Sequence, residues 1–327
     1  MYNILVLGAT GFIGGHIAKK AQAIGWRVHG FRRDPDSVGH LQDQEVKWFE
    51  GRLEDYPSLL EAMTGMDYVF HAAASYPGVC DPTLIQERVQ TATGQMKNVI
   101  RATREAQVKR LIYTSSLTTI GSPPENEDRL ADERDFYEAG TLPDNAYHEM
   151  KSAMENLALE ASGVGYDIVI LNPTLVLGPG DVHLSTGEIL LMFARGKAKA
   201  IPPGVLNVID VRDAAEAHIN AARIGKRGQR YILGGSNYSI EEASAIFAHI
   251  AGVKAPLLTL PTWLIDVYIN AGDKVPFIPF VHDHIKAYKH WQGYNCQKAR
   301  KELNLKSRFL EETVRDSLKW FRNHGIS

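Results

Sequence analysis

Short apolar runs alternate with segments of helical period through the first half of the chain. Residues 4–7, 27–31, 46–49, 68–72, 111–114 and 168–171 read as strands, and the amphipathic stretches between them as helices, the first over 16–24. This alternation predicts a parallel sheet wound with right-handed crossovers. Strands that are apolar at nearly every position suit a sheet covered on both faces. After Pro173 the texture changes. Leu177-Gly178-Pro179-Gly180 breaks the regularity, and a helix around 187–195, a strand at 206–211, a helix over 213–224 and a strand at 231–233 follow. From Ser239 onward the pattern is mostly helical, ending in the amphipathic segment 310–322. The expected fold class is α/β, a doubly wound parallel sheet with a second, smaller, mostly helical lobe. Residues 1–175 with about 205–233 make up the expected sheet domain, and 176–204 with 234–327 the second lobe. In such sheets ligands bind beyond the carboxyl ends of the strands, where the strand order reverses.

Composition narrows the function classes. With 327 residues, 44% of them hydrophobic and 23% charged, the chain has the make-up of an ordinary soluble globular protein. A net charge of −2 argues against nucleic acid or an anionic membrane as partner, since both demand a basic face. No window reaches the ~18 uninterrupted apolar residues that span a bilayer. No cationic stretch or cleavage pattern precedes the first strand, so a cytoplasmic protein is expected. Cys80 and Cys296 show neither metal-ligand nor redox spacing, and no metal site is expected. The segment 122–145 carries eight acidic residues against two arginines. It is either a lid over the site or a solvated connection at the sheet's edge.

The glycines Gly8, Gly11 and Gly14 matter because of where they stand, directly behind the first strand and at the start of a helix. The first makes the turn, the second lets the backbone approach a phosphate, and the third lets helix and strand pack closely. Backbone N–H groups at the helix start then point at a pyrophosphate, so Gly8, Thr10, Gly11, Phe12 and Ile13 are candidate dinucleotide contacts. A NAD site usually ends the second strand in an acidic residue for the adenosine ribose. Here Val28-His29-Gly30-Phe31 runs into Arg32-Arg33, and Arg32 lies 32 − 8 = 24 positions after Gly8, where the acid is due. Arginines there suit the 2′-phosphate of NADP, with NAD as the alternative. They also suit a plain solubilising pair.

Tyr147 and Lys151 lie four apart at the start of a helical pattern, which puts them on one face. Bringing a phenol from a pKa of ~10 to ~7 requires roughly 4 kcal/mol. An ammonium ~4 Å away supplies about that much at an effective dielectric of ~20. A Tyr and a Lys at this spacing are also a common surface pair. The run Leu111-Ile112-Tyr113-Thr114-Ser115-Ser116 ends its strand in hydroxyls, at the sheet edge where chemistry is expected.

Five motifs in order give the chain a resemblance to the extended short-chain dehydrogenase/reductases, over nearly its whole length. They are Gly8-x-x-Gly11-x-x-Gly14, His71-Ala72-Ala73-Ala74, Thr114-Ser115-Ser116, Tyr147-x-x-x-Lys151, and Asn172-Pro173-Thr174 followed by Gly178-Pro179. The resemblance implies that Tyr147 is the acid/base, that Lys151 lowers its pKa and holds the nicotinamide ribose, and that Ser116 hydrogen-bonds the substrate oxygen. Ser116 is preferred to Ser115 because the family's serine lies five residues before a glycine, here Gly121. It also implies cofactor contacts from Leu53, Ala72, Ala73, Ala74, Pro173 and Thr174. Where the family often has Gly-Asp-Leu, this chain has Gly51-Arg52-Leu53, so adenine recognition differs. Within the family the chain looks most like the dihydroflavonol-4-reductase-like branch, which includes bacterial carbonyl reductases and hopanoid-associated sugar epimerase-like proteins.

The same resemblance frames the substrate. Family dehydratases carry an acidic pair where Leu117 and Thr118 follow Ser116. Nucleotide-sugar members hold a diphosphate with an Asn and an Arg whose positions fall here on Leu175 and Leu206. Two leucines offer a diphosphate no donors. The expectation is NADP-dependent reduction of a small or moderately apolar carbonyl compound, with nucleotide-sugar epimerisation as the alternative. A non-enzymatic redox sensor is a third reading, against which the intact Ser/Tyr/Lys set counts. Ser75, Tyr76, Thr118 and His183 are candidate substrate contacts by position, and Pro261-Thr262-Trp263-Leu264-Ile265 reads as apolar lining or as an ordinary helix core. In the resembling family, the helices corresponding to 83–106 and to the Tyr147 segment often build a homodimer. Ala153, Leu157 and Ala158 allow close packing there, or face the sheet.

Overall fold

The computed structural model describes residues 1–73, 82–142, 145–271 and 291–326. The chain begins β1 (Asn3–Leu7), α1 (Phe12–Ala23), β2 (Arg27–Arg32), β3 (Lys47–Glu50), α2 (Tyr56–Met63), β4 (Tyr68–His71), α3 (Ile85–Glu105) and β5 (Arg110–Thr114). It continues α4 (Ala146–Gly163), β6 (Ile168–Pro173), β7 (Leu175–Leu177), α5 (Gly187–Ala194), β8 (Ala200–Ile201), β9 (Val205–Asp210), α6 (Val211–Ile224) and β10 (Arg230–Leu233). The remainder is β11 (Asn237–Ser239), α7 (Ile240–Ala251), β12 (Leu258–Thr259), α8 (Thr262–Ala271), α9 (Gln297–Glu302) and α10 (Leu310–Asn323).

Among the described residues the main sheet has seven strands in the order β10-β6-β5-β4-β1-β2-β3, and every pairing is parallel. This is the doubly wound α/β sheet that the apolar runs predict. Both faces of β1 are sealed, because Ile4 and Val6 enter one apolar layer while Leu5 and Leu7 enter the other. The first layer is closed by α1 and α6, the second by α2, α3 and α4. Leaving β1 the chain builds β2 and β3 outward, then returns to lay β4 on the other side of β1. The reversal therefore falls between β1 and β4, and the crevice beyond their carboxyl ends is where a ligand belongs.

A three-stranded sheet, β11-β9-β7, turns Leu177 and Val208 into a separate apolar cluster with α5, α7 and α10, while Val176 and Ile209 enter the main-sheet layer. Here the structure departs from the pattern. Residues 205–210 were expected with the main sheet, yet β9 pairs with β7 and β11. Conversely Ala299, Leu303 and Leu305, in or just after α9, pack into the main-sheet layer. The first helix starts four residues earlier than its period suggests, since the glycine turn leads straight into Phe12. Asp210 starts α6 at Val211 by accepting a hydrogen bond from the Arg212 amide. Among the described residues no helix is long and apolar enough to cross a membrane, and no group of His, Cys, Asp or Glu is arranged to hold a metal ion.

Candidate active site

The dinucleotide side is built from backbone. Gly8 takes a left-handed φ of +87°, and a Cβ there would lie 2.7 Å from the Ala73 nitrogen, so the loop after β4 rests directly on the turn. A Cβ on Gly14 would lie 2.1 Å from the Gly8 carbonyl oxygen. Only glycines let this turn close on itself and on the β4 loop. Gly11 stands at the N-cap of α1, and no side chain caps the helix. The first-turn N–H groups, from Phe12 and Ile13 onward, are thus left for a ligand, and with the positive end of the helix dipole they fit a pyrophosphate. Ala72 is joined to β1 through its amide, which donates to the Leu7 carbonyl at 3.0 Å.

Two further loops meet this turn. Gly39 packs against the Thr10 carbonyl, and the His40 ring lies against Gly15. His40 also meets His16, with ring centroids 4.8 Å apart and the planes tilted by 45°. His16 Nε2 is 2.7 Å from the Pro179 carbonyl, which can only accept, so Nε2 carries the proton. Burial lowers His16 to about 4 and His40 to about 3, leaving both neutral at pH 7. The second-lobe loop at Pro179-Gly180 is thereby fastened to α1.

At the end of β2, the Arg32 guanidinium lies 5.0 Å from the Trp48 ring centroid and 3.3 Å from Glu50, while Arg33 is exposed. Arg32 Nε is buried with no hydrogen-bond partner among the described residues. Leu53 is half-buried, and its carbonyl accepts from Asn98 Nδ2 at 3.1 Å. Ala74, Ser75, Tyr76 and Cys80 lie outside the described residues.

The chemical side of the crevice lies at the end of β5. Ser116 Oγ accepts from the Thr118 amide at 3.2 Å and hydrogen-bonds the Tyr147 phenol. Ser115 meets the Tyr113 phenol instead. Asn145 starts α4 by accepting from the His148 amide, and Tyr147 follows at once in the first turn. Lys151 is buried one turn later, donating from Nζ to the Thr114 carbonyl at 3.0 Å. Burial raises the Tyr147 pKa above its ordinary value, with the Ser116 hydrogen bond opposing, and lowers Lys151 to about 8. The Lys151 ammonium is held on the Thr114 carbonyl, and the burial of both groups penalises phenolate and ammonium alike.

Thr118 Oγ1 is buried beside Ser116 with no hydrogen-bond partner among the described residues. His183 is exposed on the loop that follows Pro179. Pro173 and Thr174 end β6 in the interior, and the Thr174 amide and hydroxyl both donate to the Leu233 carbonyl. The acidic segment is tied to α4 through Glu149, which accepts from the Tyr137 hydroxyl at 2.8 Å and the Gly140 amide at 2.9 Å. Leu175 and Leu206 pack against the apolar core of the second lobe.

Three site neighbours escape a motif reading. His218 on α6 meets the Thr114 hydroxyl at 2.9 Å, and its Nδ1 faces the Ala214 carbonyl at 2.7 Å. Glu155 and Arg230 form an ion pair at 2.7 Å, both almost fully buried. The only signal in the sequence was the continuation of the four-residue step from Lys151 to Glu155 on one helix face.

Residues 4–234 match the NAD dependent epimerase/dehydratase family. The chain belongs to that family. Along its length this family member is 33% identical over 333 residues to a Synechocystis protein named as a dihydroflavonol 4-reductase, covering 98% of this chain and 94% of that one. It is 34% identical over 243 residues to cinnamoyl-CoA reductase 1 of Petunia hybrida, covering 70% and 71%. A nucleoside-diphosphate-sugar epimerase from Pseudomonas aeruginosa has the same fold, with a TM-score of 0.84 at 25% identity over 99% of each chain. The epimerase/dehydratase family member is accordingly an NAD(P)-dependent enzyme of the short-chain dehydrogenase/reductase type, akin to its dihydroflavonol-reductase-like branch.

Proposed function

We propose that the enzyme reduces a small or moderately apolar aldehyde or ketone with NADPH. The observation that carries this reading is the convergence of Ser116, Tyr147 and Lys151 at the end of β5, across the sheet reversal from the glycine cradle. A nicotinamide dinucleotide bound in that cradle supplies the hydride. The residues do the rest. Tyr147, protonated at neutral pH because burial holds its pKa up, is in the form that donates a proton to the carbonyl oxygen. Ser116, already on the phenol, holds that oxygen in line. Lys151 spends one N–H on the Thr114 carbonyl and keeps two for the ribose hydroxyls. The unpartnered Thr118 hydroxyl offers the substrate a further hydrogen bond.

Arg32, Arg33 and Arg52 at the ends of β2 and β3 favour the extra phosphate of NADPH. Leu175 and Leu206, turned into apolar packing, favour a substrate without a diphosphate. The likeness to a nucleoside-diphosphate-sugar epimerase over 99% of each chain keeps sugar epimerisation as the second reading. Incubation with NADPH and a panel of aliphatic and aromatic aldehydes, and separately with UDP- and dTDP-sugars, separates the two. NADPH oxidation by the carbonyl compounds is expected. Epimerised sugar formed without net consumption of cofactor overturns the proposal.

A further inference from the structure

Beneath the Ser116–Tyr147–Lys151 group lies a buried polar network centred on Glu155 and Arg230. In it Asn172 Oδ1 is left without a partner among the described residues, and Arg230 Nε meets Glu155 as an ion pair rather than an aligned hydrogen bond. Glu155 stands one turn after Lys151 on α4, on the same helix face. Its Oε2 accepts from the Thr119 hydroxyl at 2.8 Å and from Asn172 Nδ2 at 2.7 Å. The same Asn172 amide reaches the Ser116 carbonyl at 3.3 Å. Oε1 lies 2.7 Å from Arg230 Nε. The rest of the Arg230 fork donates to the carbonyls of Thr119 at 2.7 Å, Glu133 at 3.0 Å and Asp135 at 3.1 Å. One carboxylate thus ties the Lys151 helix, the turn after Ser116, β6, β10 and the root of the acidic loop together.

We propose that Glu155, clamped by Arg230, is a positioning residue for this set: it fixes the backbone that carries Ser116 and supplies the negative charge that keeps Lys151 an ammonium. The inference rests on the reductase reading for its catalytic meaning only. The groups facing Lys151 are Thr114 and Tyr113 from β5, His71 from the end of β4, and Tyr147 and Glu155 from its own helix. His71 is fully buried and neutral, and Tyr113 and Tyr147 are held protonated by burial, so Glu155 is the anion of that group. Facing Glu155 are Arg230, Asn172, Thr119 and Tyr113. Burial takes Lys151 down to about 8, and Glu155 opposes that fall.

The test uses cofactor-free protein labelled with 13Cε-lysine and titrated by NMR, with the Lys151 resonance assigned by its loss in Lys151→Arg. In Glu155→Gln the Lys151 midpoint is expected to fall by about one pH unit or more. Carbonyl-reduction kcat at pH 7.5 should fall by about ten-fold with NADPH affinity unchanged. Glu155→Asp, which keeps the charge, should return the midpoint toward wild type. A lone buried Arg230 threatens folding of Glu155→Gln. Glu155→Gln/Arg230→Met removes both charges and should show a shift in the same direction but smaller, because the opposing guanidinium is lost with the carboxylate. An unmoved Lys151 midpoint in the folded variant, whatever its melting temperature, overturns the proposal. If wild type reduces no carbonyl compound, the reductase reading fails while the titration still decides the role of Glu155.

Discussion

The Ser116 hydroxyl is hydrogen-bonded to the Tyr147 phenol across the gap between the end of β5 and the first turn of α4. Two hydroxyls 147 − 116 = 31 positions apart in the sequence are thereby brought together. Tyr147→Phe keeps the ring and its packing but removes the proton. Turnover is expected to fall by about 10²-fold or more, with little change in cofactor affinity. Steady-state kinetics with cofactor titration checks both. A variant within a few-fold of wild type sinks the role given to Tyr147.

On the proposed NADPH reading, cofactor choice turns on the end of β2. Charge-assisted bonds from Arg32 and Arg33 to a 2′-phosphate contribute roughly 1.5–3 kcal/mol each. NADPH should bind more tightly than NADH in wild type, and replacing both arginines should erase the difference. Fluorescence titration with each cofactor measures it. Because Glu50 lies 3.3 Å from Arg32, Glu50→Gln should leave NADPH affinity equal or better. Equal affinities in wild type contradict the assignment.

The pH profile follows from Lys151, which loses its proton at about 8. Below that value the ammonium holds; above it the charge is gone. Reduction should therefore decline as pH rises through about 8, and hold from there down toward neutrality. A kcat profile in the reductive direction that keeps climbing past pH 9 excludes a charged Lys151 from the working enzyme.

Acid lability has its own source. His16 and His218 are lowered to about 4, His40 and His71 to about 3, all by burial first. Unfolded, each titrates near ~6.5. Between those values the unfolded chain binds protons that the native one refuses, so stability is present in full above ~6.5 and is lost as pH falls toward about 4. Each histidine contributes at most ~1.4 kcal/mol per pH unit. Urea midpoints at pH 7 and pH 5 should show a drop. A midpoint that holds or rises on acidification disproves it.

A homodimer through α3 and α4 remains a proposal. Ala158 is fully buried against the sheet, which removes it from any outer surface. Leu157 and Ala161 stay partly open and Val164 is 78% exposed, beside a groove of about 370 Å³ that they share with Ile100 and Tyr166. Light scattering at micromolar concentration should give twice 36.3 kDa, and Val164→Glu should lower it. A monomeric wild type counts against the interface.

What was legible in the sequence was local. The glycine turn, the hydroxyl strand end and the Tyr147–Lys151 step each lie within one element and one repeat, so spacing alone locates them. β7 and β11 have three residues each, too few to show a period, and were not foreseen. β9 has the same apolar texture as a main-sheet strand, and only its pairing tells them apart. The pairing of Glu155 with Arg230 was not legible because it joins two elements 230 − 155 = 75 positions apart, and only the step from Lys151 to Glu155 lies within one helix. The step from Tyr147 to Lys151 shows their spacing, whereas the burial that acts on both groups is set by the elements packed around them.

The order of the main sheet also constrains how the chain is made. β6 is buried along its whole length, yet its outer neighbour is β10, which leaves the ribosome last of the seven. Until Arg230–Leu233 arrives, the apolar edge Ile168–Leu171 is an open template for strand pairing with other chains. The carboxylate of Glu155 waits in the same interval for its counterion. Chains halted between residues 171 and 230 should therefore aggregate more readily than the complete chain, because arrival of the last strand covers β6 and brings Glu155 its counterion in one step.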